Sequence, residues 1–388
     1  MRIAFHVDQL WFPAPGGIGT YVRRLPAALE AEDPSLQIMA FRSRWASPPL
    51  DPSSLPEAIE LEGSIRSLYP SWALLGRPAL PASLAAADIV HATNAAAVPP
   101  AGPGQALVVT IHDLAFERVP EAFTPRWRWL YRAGLRAALK RADALLVPSR
   151  STAEDVLAHG ADPSKVHVTP LASSLSSSSS GSGSGSSSGS GGQGDRDPAE
   201  VLARLRVPSP YVLFVGTLEP RKNVVRLVRS YRRAVDAAGL PHALVLAGPS
   251  GWGGEDLLHE LATPGAGRVV RTGAVSPDDL DALYRAADCF AYPSLYEGFG
   301  LPVVEAMSRG VPTLTSNVSS LPETAGGAAL LVDPTDEAAI AAALERMLTD
   351  ADLASDLRER GPRQAAGFSW PATARATLEV YRLITGAA

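Results

Sequence analysis

Four short stretches of this chain carry charged side chains, glycines or both at spacings that could do chemistry. In YEGFGLPVVEAM (296–307), Glu297 and Glu305 are separated by seven residues, with Gly298, Gly300 and Pro302 between them. Bare glycine amides ahead of a helix start suit phosphate oxygens, and Pro302 fits the first helical turn. A carboxylate accepts hydrogen bonds from two hydroxyls at once. The plain alternative is a capped surface helix. In GTLEPRKN (216–223), Arg221 and Lys222 stand together where a strand gives way to a helix, a cation pair suited to a diphosphate. A solvated turn would look the same. In TIHDLAF (110–116), His112 and Asp113 end an apolar run and fit either acid–base chemistry or a structural hydrogen bond. The first loop, PAPGGIGTYVRRL, offers Gly16 and Gly17 before a helix, as an anion cradle or merely a tight turn.

These stretches need elements to position them. Strands are expected at 3–7, 88–92, 107–112, 144–149, 211–216, 242–248, 268–273, 289–294 and 311–316, where β-rich apolar runs are bounded by Gly or Pro. Helical patterns such as TAEDVLAHG, NVVRLVRSYRRAV and DDLDALYRAA lie between them. That alternation reads as two α/β domains with doubly wound parallel sheets. Ligands of such sheets sit at the carboxyl ends of the strands, so a cleft between two facing domains is the default site. The Ser/Gly run 173–194 divides the halves and cannot bury enough apolar surface to order itself.

Composition removes other classes. With 46% hydrophobic residues, each half of the 388-residue chain can build a core. The net charge of -5 excludes a nucleic-acid binder working by bulk electrostatics. The single cysteine, Cys289, cannot form a disulfide within the chain, which fits a cytoplasmic setting. The first apolar run ends at Asp8 and Gln9, unlike a signal peptide, and no run reaches the roughly 18–20 residues of a spanning helix. A dinucleotide oxidoreductase fits poorly, because the first loop lacks GxGxxG and no acidic residue is placed for a ribose 2′-hydroxyl.

Taken together, the Glu-x7-Glu element with GVPTLTSNVSSLPE after it, GTLEPRKN and the first Gly-Gly loop resemble the retaining glycosyltransferases of family 4, which have the GT-B architecture. The resemblance covers nearly the whole chain outside the Ser/Gly run. It implies residues 1–172 as an acceptor-side Rossmann-like domain and 195–370 as the nucleotide-sugar domain, with 371–388 a helix returning to the first. It also implies roles. Arg221 and Lys222 would hold and stabilise the departing diphosphate, and Glu305 would bind the ribose. Glu297 would bind the donor sugar, helped by amides of Gly298, Phe299 and Gly300. The resemblance further assigns to the donor Gly16, Gly17, Gly216 and Leu301, with His112 and Asp113 beside the reacting sugar and Val275 near the base. The donor would be a GDP- or UDP-linked mannose- or glucose-type hexose, a substrate rather than a cofactor. The acceptor would be a sugar or a lipid-linked hydroxyl. No metal is expected: Asp195-Arg196-Asp197 imitates Asp-x-Asp but abuts the Ser/Gly run and precedes Pro198.

One departure from the family stands after VTPL, where Ala172 and the Ser/Gly run replace the usual Gly-Val-Asp. An epimerase or phosphorylase of the same architecture, or a non-catalytic binder, would share much of this pattern. Segment 125–143 adds Arg128, Arg132, Arg136 and Lys140 on one helical face. It reads first as a surface helix packed on its own sheet. It could also lie on an anionic membrane, as a peripheral contact on the inner face.

Overall fold

The structure is a computed structural model that describes residues 1–46, 57–173, 175, 196–251 and 253–386. Within the Ser/Gly run only residues 173 and 175 are described; the rest of it, with Asp195, lies outside the described residues. Two compact units form. The first comprises Met1–Ala172 with Tyr296–Phe299 and Phe368–Ala388, and the second Ser173–Leu295 with Gly300–Gly367. The expected second domain, 195–370, ran unbroken; the structure instead groups the four residues Tyr296–Phe299, and the tail from Phe368, with the first unit.

The first unit holds a sheet of β1 (Arg2–His6), β2 (Gln37–Arg44), β3 (Ala58–Ser64), β4 (Ile89–Ala92), β5 (Ala106–Thr110), β6 (Ala144–Val147) and β7 (Val166–Val168), ordered β3-β2-β1-β4-β5-β6-β7. The second holds β8 (Tyr211–Val215), β9 (Ala243–Ala247), β10 (Val269–Gly273), β11 (Cys289–Tyr292), β12 (Thr313–Ser316) and β13 (Leu330–Val332), ordered β10-β9-β8-β11-β12-β13. Every strand pairing in these two sheets is parallel. The central strands are buried throughout, as continuous runs such as YVLFV require when helices cover both faces. Strand order reverses at β1/β4 in the first sheet and at β8/β11 in the second. At such a reversal the following connections part to opposite faces and leave a crevice.

Helices dress the sheets according to their patterns. The basic helix Pro125–Arg141 starts on its Thr124 cap and turns Leu130, Leu135, Ala137 and Ala138 into the core of the first unit. Its exposed side carries Arg126, Trp129, Arg136 and Lys140. The C-terminal helix Trp370–Thr385 joins the first unit by deeper bonds. Thr373 Oγ1 donates to the Pro170 carbonyl at 2.6 Å, and Tyr381 OH lies 2.6 Å from His91 Nδ1. His91 Nε2 meets Thr110 Oγ1 at 2.7 Å, which meets Tyr21 OH at 2.9 Å. Burial, with His112 and His6 nearby, pushes His91 down to about 3. The imidazole is therefore neutral and serves as a two-ended structural link. Pairs at the rim, Arg375–Glu32 at 2.8 Å and Arg382–Asp33 at 3.1 Å, are solvent-facing and worth little by comparison.

The end of β1 contains a fully buried carboxylate, Asp8. It accepts hydrogen bonds from Ser43 N at 2.8 Å, Ser43 Oγ at 2.6 Å, Trp45 Nε1 at 3.1 Å and Tyr69 OH at 2.9 Å. His6 Nε2 lies 3.0 Å away. Burial alone would raise the carboxyl, but His6 and the donors outweigh it and hold Asp8 at about 2. Asp8 thereby ties β1 to β2 and to the helix Ile65–Leu75. Asp8→Asn is expected to destabilise the protein by roughly 2–4 kcal/mol near neutrality, because it leaves buried donors poorly matched. A depressed carboxyl stabilises above its unfolded range and loses that contribution on acidification through its folded value. The gap between wild-type and Asp8→Asn urea midpoints should therefore be full at about pH 6 and narrow as pH falls from about 4 towards about 2.

Candidate functional site

In the second unit the residues singled out in the sequence follow the carboxyl ends of β8 and β11, with Val275 after β10. Strand β8 delivers Gly216, and the chain then makes a tight turn over Pro220–Lys222 before the helix Val224–Ala238. The turn is bonded to the segment that follows β11. The Arg221 carbonyl accepts Leu295 N at 2.9 Å, and Asn223 Nδ2 donates to the Pro293 and Pro334 carbonyls at 3.0 and 2.7 Å. Lys222 is only 8% exposed. Its Nζ donates to Tyr292 OH at 2.6 Å and lies 5.1 Å from that ring's centroid. Arg221 places Nε and Nη2 at 3.1 and 2.9 Å from Glu219 Oε1. Both cations are thus held by neighbours before any anion arrives, and little side-chain entropy is left to lose on binding.

The helix Leu301–Ser308 starts on Gly300, whose φ of +94° allows the chain to enter it sharply, and no side chain caps its first turn. Glu305, on its second turn, is buried and accepts Tyr284 OH at Oε2, 3.1 Å away. Tyr284 comes from the helix Pro277–Ala286, and burial together with Glu305 drives its hydroxyl well above the usual phenol range. That phenol therefore stays protonated and donates to Glu305. Val275 lies half-buried in the turn between β10 and that helix. Leu301 is buried at the head of its own helix.

In the first unit, His112 and Asp113 follow β5. His112 Nε2 lies 3.0 Å from the Thr93 carbonyl, which can only accept, so the neutral ring carries its proton on Nε2. The Nδ1 lone pair is then an acceptor. The Tyr21 ring meets the His112 ring edge-on at 4.9 Å. Burial pushes His112 down to about 4, against the opposing pull of Asp113 and the Thr93 carbonyl. Asp113 Oδ1 caps the next turn by accepting Ala115 N at 2.9 Å. Gly16 and Gly17 open the helix Gly16–Glu32, whose cap is Pro15 and whose first turn holds no acid.

Glu297, Gly298 and Phe299 also belong to this unit, and all three are buried. Gly298 has no room for a side chain. A Cβ there would lie 1.8 Å from the His112 carbonyl oxygen and 2.8 Å from Asp113 Cβ. Its own carbonyl accepts Ser149 Oγ at 2.7 Å and Thr152 Oγ1 at 3.2 Å.

The sequence residues fall into two groups, Gly216, Arg221, Lys222, Val275, Gly300, Leu301 and Glu305 in one unit and Gly16, Gly17, His112, Asp113, Glu297, Gly298 and Phe299 in the other. Supporting residues were overlooked. Glu219 stands inside the quoted GTLEPRKN, two positions before Arg221, and could have been read as its partner. Tyr284, Tyr292 and Tyr296 carry no signal that separates a site tyrosine from a core one. Asp197 of the Asp-Arg-Asp run caps the helix Pro198–Leu205, and Arg196 pairs with Asp279 at 2.7 Å. No group of three His, Cys, Asp or Glu suited to a metal occurs among the described residues.

Comparison with known proteins gives a consistent result. The family model described as Glycosyltransferase Family 4 matches residues 15–172, and Glycosyl transferases group 1 matches 203–364. O-antigen chain mannosyltransferase B of Escherichia coli is 36% identical over 285 residues, 71% of this chain and 70% of that protein. Serotype-specific mannosyltransferase WbdA of Escherichia coli is 32% identical over 260 residues, 66% of this chain but 30% of its own length. Among solved structures, sucrose-phosphate synthase from Thermosynechococcus elongatus shares the fold with a TM-score of 0.71 at 23% identity, both chains being covered in full.

Two outcomes follow from the geometry. An NMR titration should place the His112 transition near 4 instead of the ordinary 6.5, so the pH–rate profile should show no His112 inflection between about 6 and 8. Gly298→Ala must displace either the His112 carbonyl or its own turn, and should cost at least about tenfold in turnover.

Proposed function

The chain belongs to the family 4, group 1 glycosyltransferases, and from that premise we propose that it moves a mannose- or glucose-type hexose from a nucleoside diphosphate sugar to an acceptor hydroxyl with retained anomeric configuration. The observation that carries this reading is the anchored cation pair Arg221–Lys222 at the end of β8, where the strand order reverses beside β11. Arg221 and Lys222 hold the diphosphate and stabilise it as it leaves. Nearly buried, Lys222 interacts with developing charge more strongly than a solvated ammonium would.

The carboxylate of Glu305, held by Tyr284, takes the ribose hydroxyls, and Val275 lies against the base. The amides of Gly300 and Leu301 at their helix start face phosphate oxygens. In the first unit, Glu297 accepts hydroxyls of the sugar, and His112 accepts one more through Nδ1. Asp113 and the Gly16–Gly17 turn complete the donor set, with the amides of Gly298 and Phe299. Retention needs no enzyme nucleophile here. The bond from C1 to the phosphate oxygen breaks while the acceptor oxygen bonds C1 on the same face. The acceptor proton passes to the departing phosphate oxygen, so atoms and charge balance. Catalysis is then positioning and electrostatics, with two fixed cations in the place a divalent metal holds in other transferases.

The acceptor is a sugar hydroxyl, free or lipid-linked. Among the described residues no helix is long and apolar enough to cross a membrane. The helix Pro125–Arg141 contains no acid and exposes Arg126, Arg136 and Lys140, a surface that suits an anionic bilayer bearing such an acceptor. Co-sedimentation with phosphatidylglycerol vesicles should fall as salt rises; binding indifferent to salt, or none, removes the membrane contact.

A thermal-shift panel of GDP, UDP, dTDP and ADP identifies the nucleotide, since a ligand that binds only the folded chain raises its melting point. Lys222→Ala and Glu305→Ala should each lose most acceptor-dependent release of nucleoside diphosphate while keeping their circular-dichroism spectra. Full turnover in either variant overturns its role.

A further inference from the structure

The turn that carries Glu297 is gripped on both sides by side chains that no step above uses. Tyr296 donates its hydroxyl hydrogen to Asp155 Oδ2 at 2.7 Å and accepts Leu114 N at 3.2 Å. Tyr296 and Asp155 are 6% and 4% exposed, so this bond to a carboxylate is shielded from water. Arg118 Nε donates to the other Asp155 oxygen at 2.9 Å, with its Nη2 in close contact as well. Two residues beyond Tyr296, the Gly298 carbonyl accepts Ser149 Oγ at 2.7 Å.

Both grips come from one element. Ser149 is the cap of the helix Arg150–Ala158, where its Oγ accepts Thr152 N at 3.1 Å, and Asp155 lies further along the same helix. That helix follows β6, on the edge where the strands of its sheet end. Residues 296 and 298 are thus fixed on a rigid support, and the residue between them has its Cα–Cβ direction fixed with them. Holding a reacting group this way matters because a displacement of about 1 Å can cost on the order of 100-fold in rate.

We propose that Tyr296, Asp155 and Ser149 are positioning residues for Glu297, holding its turn so that the carboxylate meets hydroxyls of the transferred sugar. The proposal rests on the donor-sugar role given to Glu297 above. A positioning residue acts through Glu297, and Glu297 touches the sugar and not the nucleotide. Tyr296→Phe should therefore weaken GDP-mannose binding and slow its hydrolysis by about tenfold. Affinity for GDP should stay near wild type, while the melting temperature falls by several degrees because Asp155 Oδ2 and Leu114 N each lose a buried partner. UDP-glucose and UDP replace these probes if the melting panel selects UDP.

The deciding measurement is a double-mutant cycle. Tyr296→Phe combined with Glu297→Gln should be no worse than Glu297→Gln alone. Asp155→Asn, which keeps an acceptor for the Tyr296 hydroxyl, should lose less than Asp155→Ala. Effects of Tyr296→Phe and Glu297→Gln that multiply, equal losses for GDP and GDP-mannose, or an unimpaired Tyr296→Phe each overturn the positioning role. If Tyr296→Phe does not fold, Ser149→Ala takes its place in the same cycle. A wild-type-like Glu297→Gln overturns the reading of Glu297 itself, and the proposal falls with it. An impaired Glu297→Gln beside an unimpaired Tyr296→Phe overturns the proposal alone.

Discussion

A parallel sheet brings the carboxyl ends of all its strands to one edge, and this constraint organises the chain. Residues far apart in sequence reach one edge because each follows a strand. In the first unit Asp8 follows β1, Thr93 follows β4, His112 follows β5 and Ser149 follows β6. In the second, Gly216 and the Arg221–Lys222 turn follow β8, while Tyr292 closes β11. The backbone bonds of those strands are satisfied within the sheet, so the connections beyond them are free to vary in chemistry. What the connections share is a rigid base.

On that base, charge is managed locally. The chain as a whole is mildly acidic, yet Arg221 and Lys222 are not presented as a loose basic patch. Arg221 is braced by Glu219, and Lys222 is seated over the Tyr292 ring. Three buried carboxylates follow the same rule: Glu305 takes the Tyr284 hydroxyl, Asp155 the Tyr296 hydroxyl and Asp8 the Tyr69 hydroxyl. A phenol suits this task because its ring adds apolar contact while its one donor satisfies the oxygen. Its proton is also hard to lose in these surroundings. Each carboxylate therefore keeps a partner that stays protonated, beside the Arg118 guanidinium at Asp155 and the His6 ring at Asp8.

The sequence disclosed the centre of each sheet better than its margins. Strands such as β5, β8 and β9 are buried on both faces and announce themselves as unbroken apolar runs. Strands β2 and β3 lie at or next to an edge and mix Arg42, Arg44, Glu60 and Glu62 into their pattern, while β7 and β13 have three residues each. None of these four was legible. The site divided similarly. Glu297, Glu305, Arg221 and Lys222 could be read because they form a Glu-x7-Glu spacing across a glycine-rich helix start and an adjacent cation pair where a strand gives way to a helix. Their supports could not, because Tyr284 or Tyr296 differs from a packing tyrosine only in what its hydroxyl touches. That depends on residues tens to hundreds of positions away, as with Tyr296 and Asp155.

The C-terminal helix has a consequence for how the molecule is made. His91, in the interior of the first unit, takes its Nδ1 partner from Tyr381, and the Pro170 carbonyl takes its donor from Thr373. A ribosome that has released the whole of residues 1–172 has still supplied neither group. The unit whose strands emerge first is therefore completed last, after the second unit has been translated in full. Until then the helix Gly16–Glu32 lacks the helix that packs against it, and a truncation of the final turns reaches His91 in the interior of the half of the protein most distant from it in sequence.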